Sequence, residues 1–233
     1  MKVILILPSL SSGGLEKVIT ELAWFFSKKG NVNVVLFCLS EGDLFYPLPQ
    51  SVRVIMPSFK IQEYPRFVFL IKLMVWLRKN LRRQRPDALL SFGGKFNSFV
   101  LLSAYGLSCR CFISDRSRPS ISYGRFLDWL NPIMYRSAAG IIAQTYRAKE
   151  NTYARTGHKQ IRVIGNPIMK PGCAQIQREN IILNVGRFIS SKNQELLLDY
   201  FAAINPEGWR LCFVGDGECL QNVRSKAEQL GLM

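Results

Sequence analysis

Histidine is nearly missing from these 233 residues: His158 stands alone, with no ligand-type neighbour at metal-binding spacing. The six cysteines form no CxxC pair, so zinc-ligand spacing is absent as well. Acidic residues are scarce, 16 against 31 lysines and arginines, for a net charge of +15. Such an excess suits an anionic partner: nucleic acid, an anionic membrane surface or a phosphorylated small molecule. The basic residues lack the interleaved aromatics or motif of a nucleic-acid binder, and no nucleic-acid partner is expected. No uncharged apolar run approaches the roughly 18 residues of a membrane span. The first run, Val3–Leu7, is too short for a signal-peptide core and reads as a buried strand. Neither GxGxxG nor a Walker loop occurs, which argues against dinucleotide binding and ATP hydrolysis.

What is present is a rhythm. Short apolar runs alternate with longer amphipathic ones, and 48% of residues are apolar, enough for a substantial core. Strands are expected at Val3–Leu7, Val32–Leu39, Val52–Met56, Ala88–Ser91, Arg110–Ser114, Gly140–Gln144 and Ile161–Ile164. Helices are expected at Leu15–Lys29, closed by Gly30, then Tyr64–Arg85, Asn97–Tyr105, Tyr123–Tyr135 (broken by Pro132) and Tyr146–Ala154. Such a βαβ series makes a doubly wound parallel sheet, which binds ligands at the carboxyl ends of its strands. Cys38, Cys111 and Cys212 lie in strand-like runs, as reduced core cysteines do in a reducing cytosol. The stretch Gly165–Gln177 interrupts the rhythm with prolines and glycines and marks a domain boundary. A second unit then starts, with strands Ile181–Val185 and Arg210–Val214 and helices Asn193–Ala203 and Glu218–Leu230. The domains expected are 1–167 and 174–233. A doubly wound domain usually takes about 100–150 residues, so the second is expected to be incomplete.

Several strand-to-helix junctions carry candidate chemistry. Pro8-Ser9-Leu10-Ser11-Ser12-Gly13-Gly14 could bring free backbone amides against a phosphate or sugar, or could be a plain turn with Ser12 as cap; Glu16 suits the helix dipole. Gly186-Arg187-Phe188-Ile189-Ser190-Ser191-Lys192 places Arg187 and Lys192 about a helix start, where two cations could hold a diphosphate or could simply be solvated. Val214-Gly215-Asp216-Gly217-Glu218 offers a backbone approach at Gly215, or a turn. Ile113-Ser114-Asp115-Arg116-Ser117-Arg118-Pro119 puts Asp115 and Arg116 after a strand, facing a cleft or solvent. The segment Arg66–Arg85 is apolar over Phe67–Leu77 and then basic, which reads as a buried helix with a basic end or as a site that docks on anionic lipid.

In order along the chain, GGLEKVITELA, RPDALLSF, ISDRSRPS, YRSAAGIIAQT, VIGNPI, the NVGRF segment with its lysine four residues on, and FVGDGE resemble the retaining glycosyltransferases of family 4, those of lipopolysaccharide, capsule and glycan assembly. The resemblance implies the GT-B fold: two Rossmann-like domains, the first on the acceptor side and the second for a UDP- or GDP-sugar. It implies a sugar transferred to a lipid-linked or polysaccharide acceptor, without metal or other cofactor. Arg187 and Lys192 match the family's diphosphate-binding pair, Gly13 and Gly14 its donor-phosphate loop. Asp115 and Arg116 occupy the loop where many members place a histidine, as in relatives with an acidic–Arg pair. The family's paired glutamates would lie beyond Met233. The expected protein is peripheral on the inner face of the membrane. The alternatives are a non-catalytic anion- and membrane-binding remnant, or a GT-B sugar-nucleotide epimerase.

Overall fold

The computed structural model describes residues 1–116, 121–168 and 179–232. Ser117, Arg118 and Pro119, named above, lie outside the described residues, as does most of the boundary segment. The chain divides into two compact units, Met1–Met169 and Lys170–Met233.

The first unit is built on strands β1 (Lys2–Leu7), β2 (Asn33–Cys38), β3 (Arg53–Ile55), β4 (Ala88–Phe92), β5 (Arg110–Ser114), β6 (Gly140–Ala143) and β7 (Ile161–Val163). They form one parallel sheet in the order β3-β2-β1-β4-β5-β6-β7. Ile4 pairs with Val35 on one side and Leu89 on the other. The helices between them are α1 (Gly14–Ser27), α2 (Arg66–Gln84), α3 (Asn97–Ala104), α4 (Arg125–Tyr135) and α5 (Tyr146–Thr156).

Near-continuous apolar runs make strands buried on both faces, and the period of two divides them between two cores. Val3, Leu5 and Leu7 face α1 with Val18, Ile19 and Ala23. Ile4 and Ile6 face the opposite side, with Phe69, Leu73, Leu77 and Leu81 of α2, each one helical turn from the next. Because the order turns back at β1 and β4, the topological switch point lies between the loops that follow these strands.

The second unit carries β8 (Ile181–Val185), α6 (Gln194–Ile204), β9 (Arg210–Val214) and α7 (Leu220–Gln229). β8 and β9 pair in parallel, with Leu183 opposite Cys212. Leu198, Val223, Ala227 and Phe188 form its core, with Leu211 and Phe213 against it.

Four local expectations are corrected. Cys212 is exposed rather than core, because it shares the uncovered sheet face with Leu183, Val185 and Val214 while the helices cover the other. Gly30 does not cap α1; the helix ends at Lys28 in an ordinary right-handed conformation, its N–H reaching the carbonyl of Trp24. Ser12 is not the N-cap, which is Gly13, with no side-chain cap bond. Pro132 does not break α4 but sits inside it: the seating of buried Asn131 and Tyr135 on either side keeps the helix continuous at the loss of one N–H from its ladder.

Candidate functional site

The loop after β1 folds back on the start of α1. Ser9 Oγ donates to Glu16 Oε1 at 3.0 Å, which leaves Ser11 to donate to Ser9 Oγ at 3.0 Å. The carboxylate of Glu16 thereby lies where a Cβ on Gly13 would sit, although Gly13 itself is extended backbone that any residue adopts. Nothing lies within 4 Å of the Cβ position of Gly14, so the fold makes no steric demand there. The two glycines have different reasons: one yields room to a carboxylate, the other faces open space.

A second glycine pair, missed in the sequence, closes the switch point from the β4 side. Gly93 has φ +101, and a Cβ on it would come 3.6 Å from Leu15 and 3.8 Å from Pro8. Its N–H donates to the Ser114 carbonyl at 3.1 Å. A Cβ on Gly94 would overlap the Tyr123 ring, whose hydroxyl donates to Asp115 Oδ1 at 2.8 Å. The signal was legible: Gly-Gly between a strand and a helix, the same pattern as Gly13-Gly14.

Beneath these loops lies a fully bonded polar layer. Buried Asn97 accepts from Ser91 Oγ at 2.9 Å and donates to the Ser114 carbonyl at 3.2 Å and Tyr135 Oη at 3.3 Å. Asn131 accepts from Ser98 Oγ at 2.5 Å and donates to the Gly94 carbonyl at 3.0 Å. Burial, with Asp115 adding repulsion, pushes the Tyr135 hydroxyl up, so it stays neutral.

Arg116 turns along the sheet edge. Nε donates to Ser114 Oγ at 3.0 Å, and Nη1 donates to Asn166, whose Oδ1 also accepts from Gln144 Nε2 at 2.8 Å. The guanidinium lies 5.0 Å from the Phe92 ring centroid. Burial lowers its pKa from the usual arginine range, which leaves it a cation in a partly desolvated place. Nη2 makes no hydrogen bond among the described residues. Asn166 and Gln144 were not singled out in the sequence; polar residues one and three positions past a strand end gave no distinct signal.

His158 belongs to the opposite edge, in the turn before β7. Its Nδ1 accepts from the Gln160 N–H at 3.0 Å, so Nε2 donates to the Ala138 carbonyl at 2.9 Å. Among the described residues no group of three or more His, Cys, Asp or Glu is placed to hold a metal ion.

In the second unit the two strand-to-helix loops are stitched together. Gly186 N donates to the Val214 carbonyl at 3.0 Å and Phe188 N to the Asp216 carbonyl at 2.9 Å. Gly215, at φ +150, lies against the Gly186 carbonyl, and Gly217, at φ +152, against the Phe188 backbone, each too close to admit a Cβ. Gly215 therefore serves loop packing, a role that its sequence context did not distinguish from contact with a ligand. Phe188 is buried, its ring tilted against that of Phe213 with centroids 6.0 Å apart. Gln194 Nε2 holds the Arg187 carbonyl at 3.0 Å. Arg187 is thus clamped through its backbone while its exposed side chain makes no hydrogen bond or ion pair among the described residues. Lys192 closes the 3-10 turn Ser190–Lys192 ahead of α6, also exposed and likewise unpaired there. Together they bring two cations to a helix N-terminus, an arrangement suited to phosphate oxygens.

A seven-stranded parallel sheet with its loops gathered at a switch point, followed by a unit with cations at a strand-to-helix turn, defines the GT-B class of glycosyltransferases. The family model for "Glycosyltransferase Family 4" matches residues 12–169, and that for "Glycosyl transferases group 1" matches residues 172–233. The chain belongs to glycosyltransferase family 4. It is 24% identical, over all of its length and 66% of the relative's, to the GalNAc-alpha-(1->4)-GalNAc-alpha-(1->3)-diNAcBac-PP-undecaprenol alpha-1,4-N-acetyl-D-galactosaminyltransferase of Campylobacter jejuni. It is 24% identical, over 93% of its length and 62% of the relative's, to the amylovoran biosynthesis glycosyltransferase AmsD of Erwinia amylovora. The chain thus spans just under two thirds of the length of these curated relatives. Among solved structures, Anabaena Alr3699/HepE in complex with UDP superposes with TM-score 0.74 at 16% identity, covering 100% of this chain and 67% of that one.

Proposed function

We propose that the protein moves a sugar from a UDP- or GDP-sugar to a lipid-linked or polysaccharide acceptor, with retention at the anomeric carbon, at the inner face of a membrane. The observation that carries this reading is the mounting of Arg187: a backbone fixed by neighbours on both sides and a guanidinium without a partner among the described residues, on the same strand-to-helix connection as Lys192. Cleavage of a nucleotide-sugar bond builds negative charge on the departing diphosphate, and preorganised cations with free amides stabilise it without reorganising. In this reading the diphosphate takes the acceptor proton on the face it leaves, and no metal or other cofactor is required. Asp115 and the Arg116 guanidinium orient the acceptor hydroxyl. Gly14, with open space beside it, admits donor phosphate or acceptor close to the backbone.

Two names support the substrate classes: the Anabaena structure holds UDP, and the Campylobacter relative is named for an undecaprenol-diphosphate-linked glycan. The membrane contact is assigned to α2. Its first half leaves Phe67, Ile71 and Val75 exposed, and its second half carries Lys79, Arg82 and Arg83. No helix among the described residues is long and apolar enough to cross a membrane.

The test is transfer of radiolabel from UDP- and GDP-sugars to extracted lipid acceptor, with nucleotide binding measured alongside. Expected is transfer lost on replacing Arg187 and Lys192 by Ala. A protein that binds no nucleotide, or that is indifferent to both replacements, overturns the reading.

A further inference from the structure

Helix α4 carries a feature that neither the sequence motifs nor the proposed chemistry uses. Phe126 is 68% exposed, Trp129 63% and Ile133 43%, at spacings of three and four that put them on one stripe. The Phe126 and Trp129 rings lie 6.3 Å apart. The inward side of the same helix is anchored by buried Asn131 and Tyr135, so the stripe is the solvent side of a helix already seated on the sheet.

This stripe does not stand alone. α2, α3 and α4 lie side by side over the sheet face that Ile4, Leu89 and Ile113 share. Their outer sides together present Phe67, 74% exposed, Ile71 and Val75 of α2, Leu102 of α3, and the α4 stripe. Lys72, the one charge inside the apolar half of α2, is withdrawn: its ammonium lies 3.7 Å from the Tyr64 ring centroid and 5.5 Å from that of Phe59.

The direction of the helices adds a second constraint. Each helix of a βαβ unit begins at the carboxyl edge of the sheet and runs back to the amino edge. The exposed apolar residues of α2 and the rings of α4 are in the first halves of their helices, and so near the edge that carries Ser9, Gly94 and Asp115. Arg82 and Arg83 are in the last turn of α2, at the far edge.

Charge selects the occupant. Across α2, α3 and α4 the sole carboxylate is Asp128, which accepts from Ser122 Oγ at 2.5 Å and from the Tyr123 N–H at 2.9 Å. Arg66, Arg78, Lys79, Arg82, Arg83 and Arg125 stand on the same helices; the flanking elements add Glu63 and Glu150. A second copy docking through the same face would set cations against cations. An anionic bilayer matches both the apolar rings and the charge, since aromatic rings favour the headgroup boundary and cations the lipid phosphates.

We propose that α4 is a second membrane-contact element: Phe126, Trp129 and Ile133 enter the interfacial layer of an anionic bilayer beside α2 and hold the carboxyl edge of the sheet close to the lipid. This rests on the membrane reading given for α2 and extends it to a part of the fold with no basic run of its own.

The experiment is binding to vesicles of phosphatidylglycerol and phosphatidylethanolamine, with phosphatidylcholine vesicles as control. Three proteins are compared: wild type, Phe126→Ser with Trp129→Ser, and Phe67→Ser with Val75→Ser. All these side chains are exposed, so circular dichroism and melting should be unchanged. Expected is binding weakened about tenfold or more by either pair, since each removes buried apolar area. Also expected is a blue shift on vesicle addition that Trp129→Phe abolishes. Wild-type affinity in the α4 pair beside loss in the α2 pair overturns the α4 assignment and leaves the α2 reading standing. No binding by the wild type overturns both. A concentration-dependent dimer in sedimentation that the α4 pair abolishes, without change in vesicle binding, assigns the stripe to self-association and overturns the proposal.

Discussion

The carbonyl of Gly186 occupies the space beside Gly215 that a side chain would need. With φ at +150, Gly215 is also in a conformation that L side chains rarely adopt. Gly215→Ala should therefore cost the second unit ~1–3 kcal/mol from the backbone conformation alone, and more from the overlap. Hydrogen exchange of the β8 and β9 amides, measured beside thermal melting, reads this directly.

Arg187→Ala and Lys192→Ala should leave melting unchanged, because neither side chain has a partner among the described residues. Each should weaken UDP or GDP binding by roughly tenfold or more, the size expected for one charge-assisted contact. Arg187→Lys should recover part of that loss, since the charge returns without the forked donors. Calorimetric titration measures all three.

Positions 13 and 14 should separate folding from binding. Gly13→Ala must push the Glu16 carboxylate aside and release Ser9, a small loss of stability. Gly14→Ala meets nothing in the protein and should melt like wild type, while transfer falls through contact of the new methyl with the substrate. The pair is checked by parallel melting and transfer assays; equal activity at position 14 would remove that loop from the substrate site.

Asp128 makes the acid limb of stability testable. The Ser122 hydroxyl, then the Tyr123 N–H, hold its carboxyl below the ordinary value of 3.8. A depressed folded-state pKa stabilises above the unfolded value and stops doing so as pH falls through the folded one. Asp128→Asn should thus melt below wild type at neutral pH, the gap narrowing as pH drops below about 4. Melting points across that range decide it.

Cysteine labelling should follow burial. Desolvation pushes the Cys111 thiol up to about 12 and raises that of Cys38. A maleimide at mildly alkaline pH should label Cys212 in the native protein and reach Cys38 and Cys111 only on unfolding. Peptide mapping by mass spectrometry distinguishes the three.

The strands were legible as apolar runs: Val3–Leu7 and Arg110–Ser114, in the large sheet covered on both faces, and Ile181–Val185 and Arg210–Val214, with one face exposed, all stand in the structure at or within a residue of the expected bounds. Helix ends were less so. Gly30 has the composition of a cap without the conformation, and Pro132 stays within the helix because the buried contacts of Asn131 and Tyr135, which the sequence did not reveal, seat the turn around it. Of the site, Arg187 and Lys192 were readable as cations at a strand-to-helix turn. The clamp that fixes Arg187 was not, since the carbonyl bond from Gln194 and the stacking of Gly215 on Gly186 arise only once β8 and β9 pair. The same holds for Arg116, whose partners Ser114 and Asn166 come from the ends of two different strands, with Gln144 from a third holding Asn166.

Every strand of the large sheet runs the same way, so the first unit's connections bearing candidate chemistry emerge on one rim, while strand pairing and helix seating are settled elsewhere. Each such connection can lengthen or change residues on its own without disturbing its neighbours' hydrogen-bond ladders. New ligand preference is thereby open to descent by piecemeal loop exchange, one turn at a time, on an unchanged scaffold.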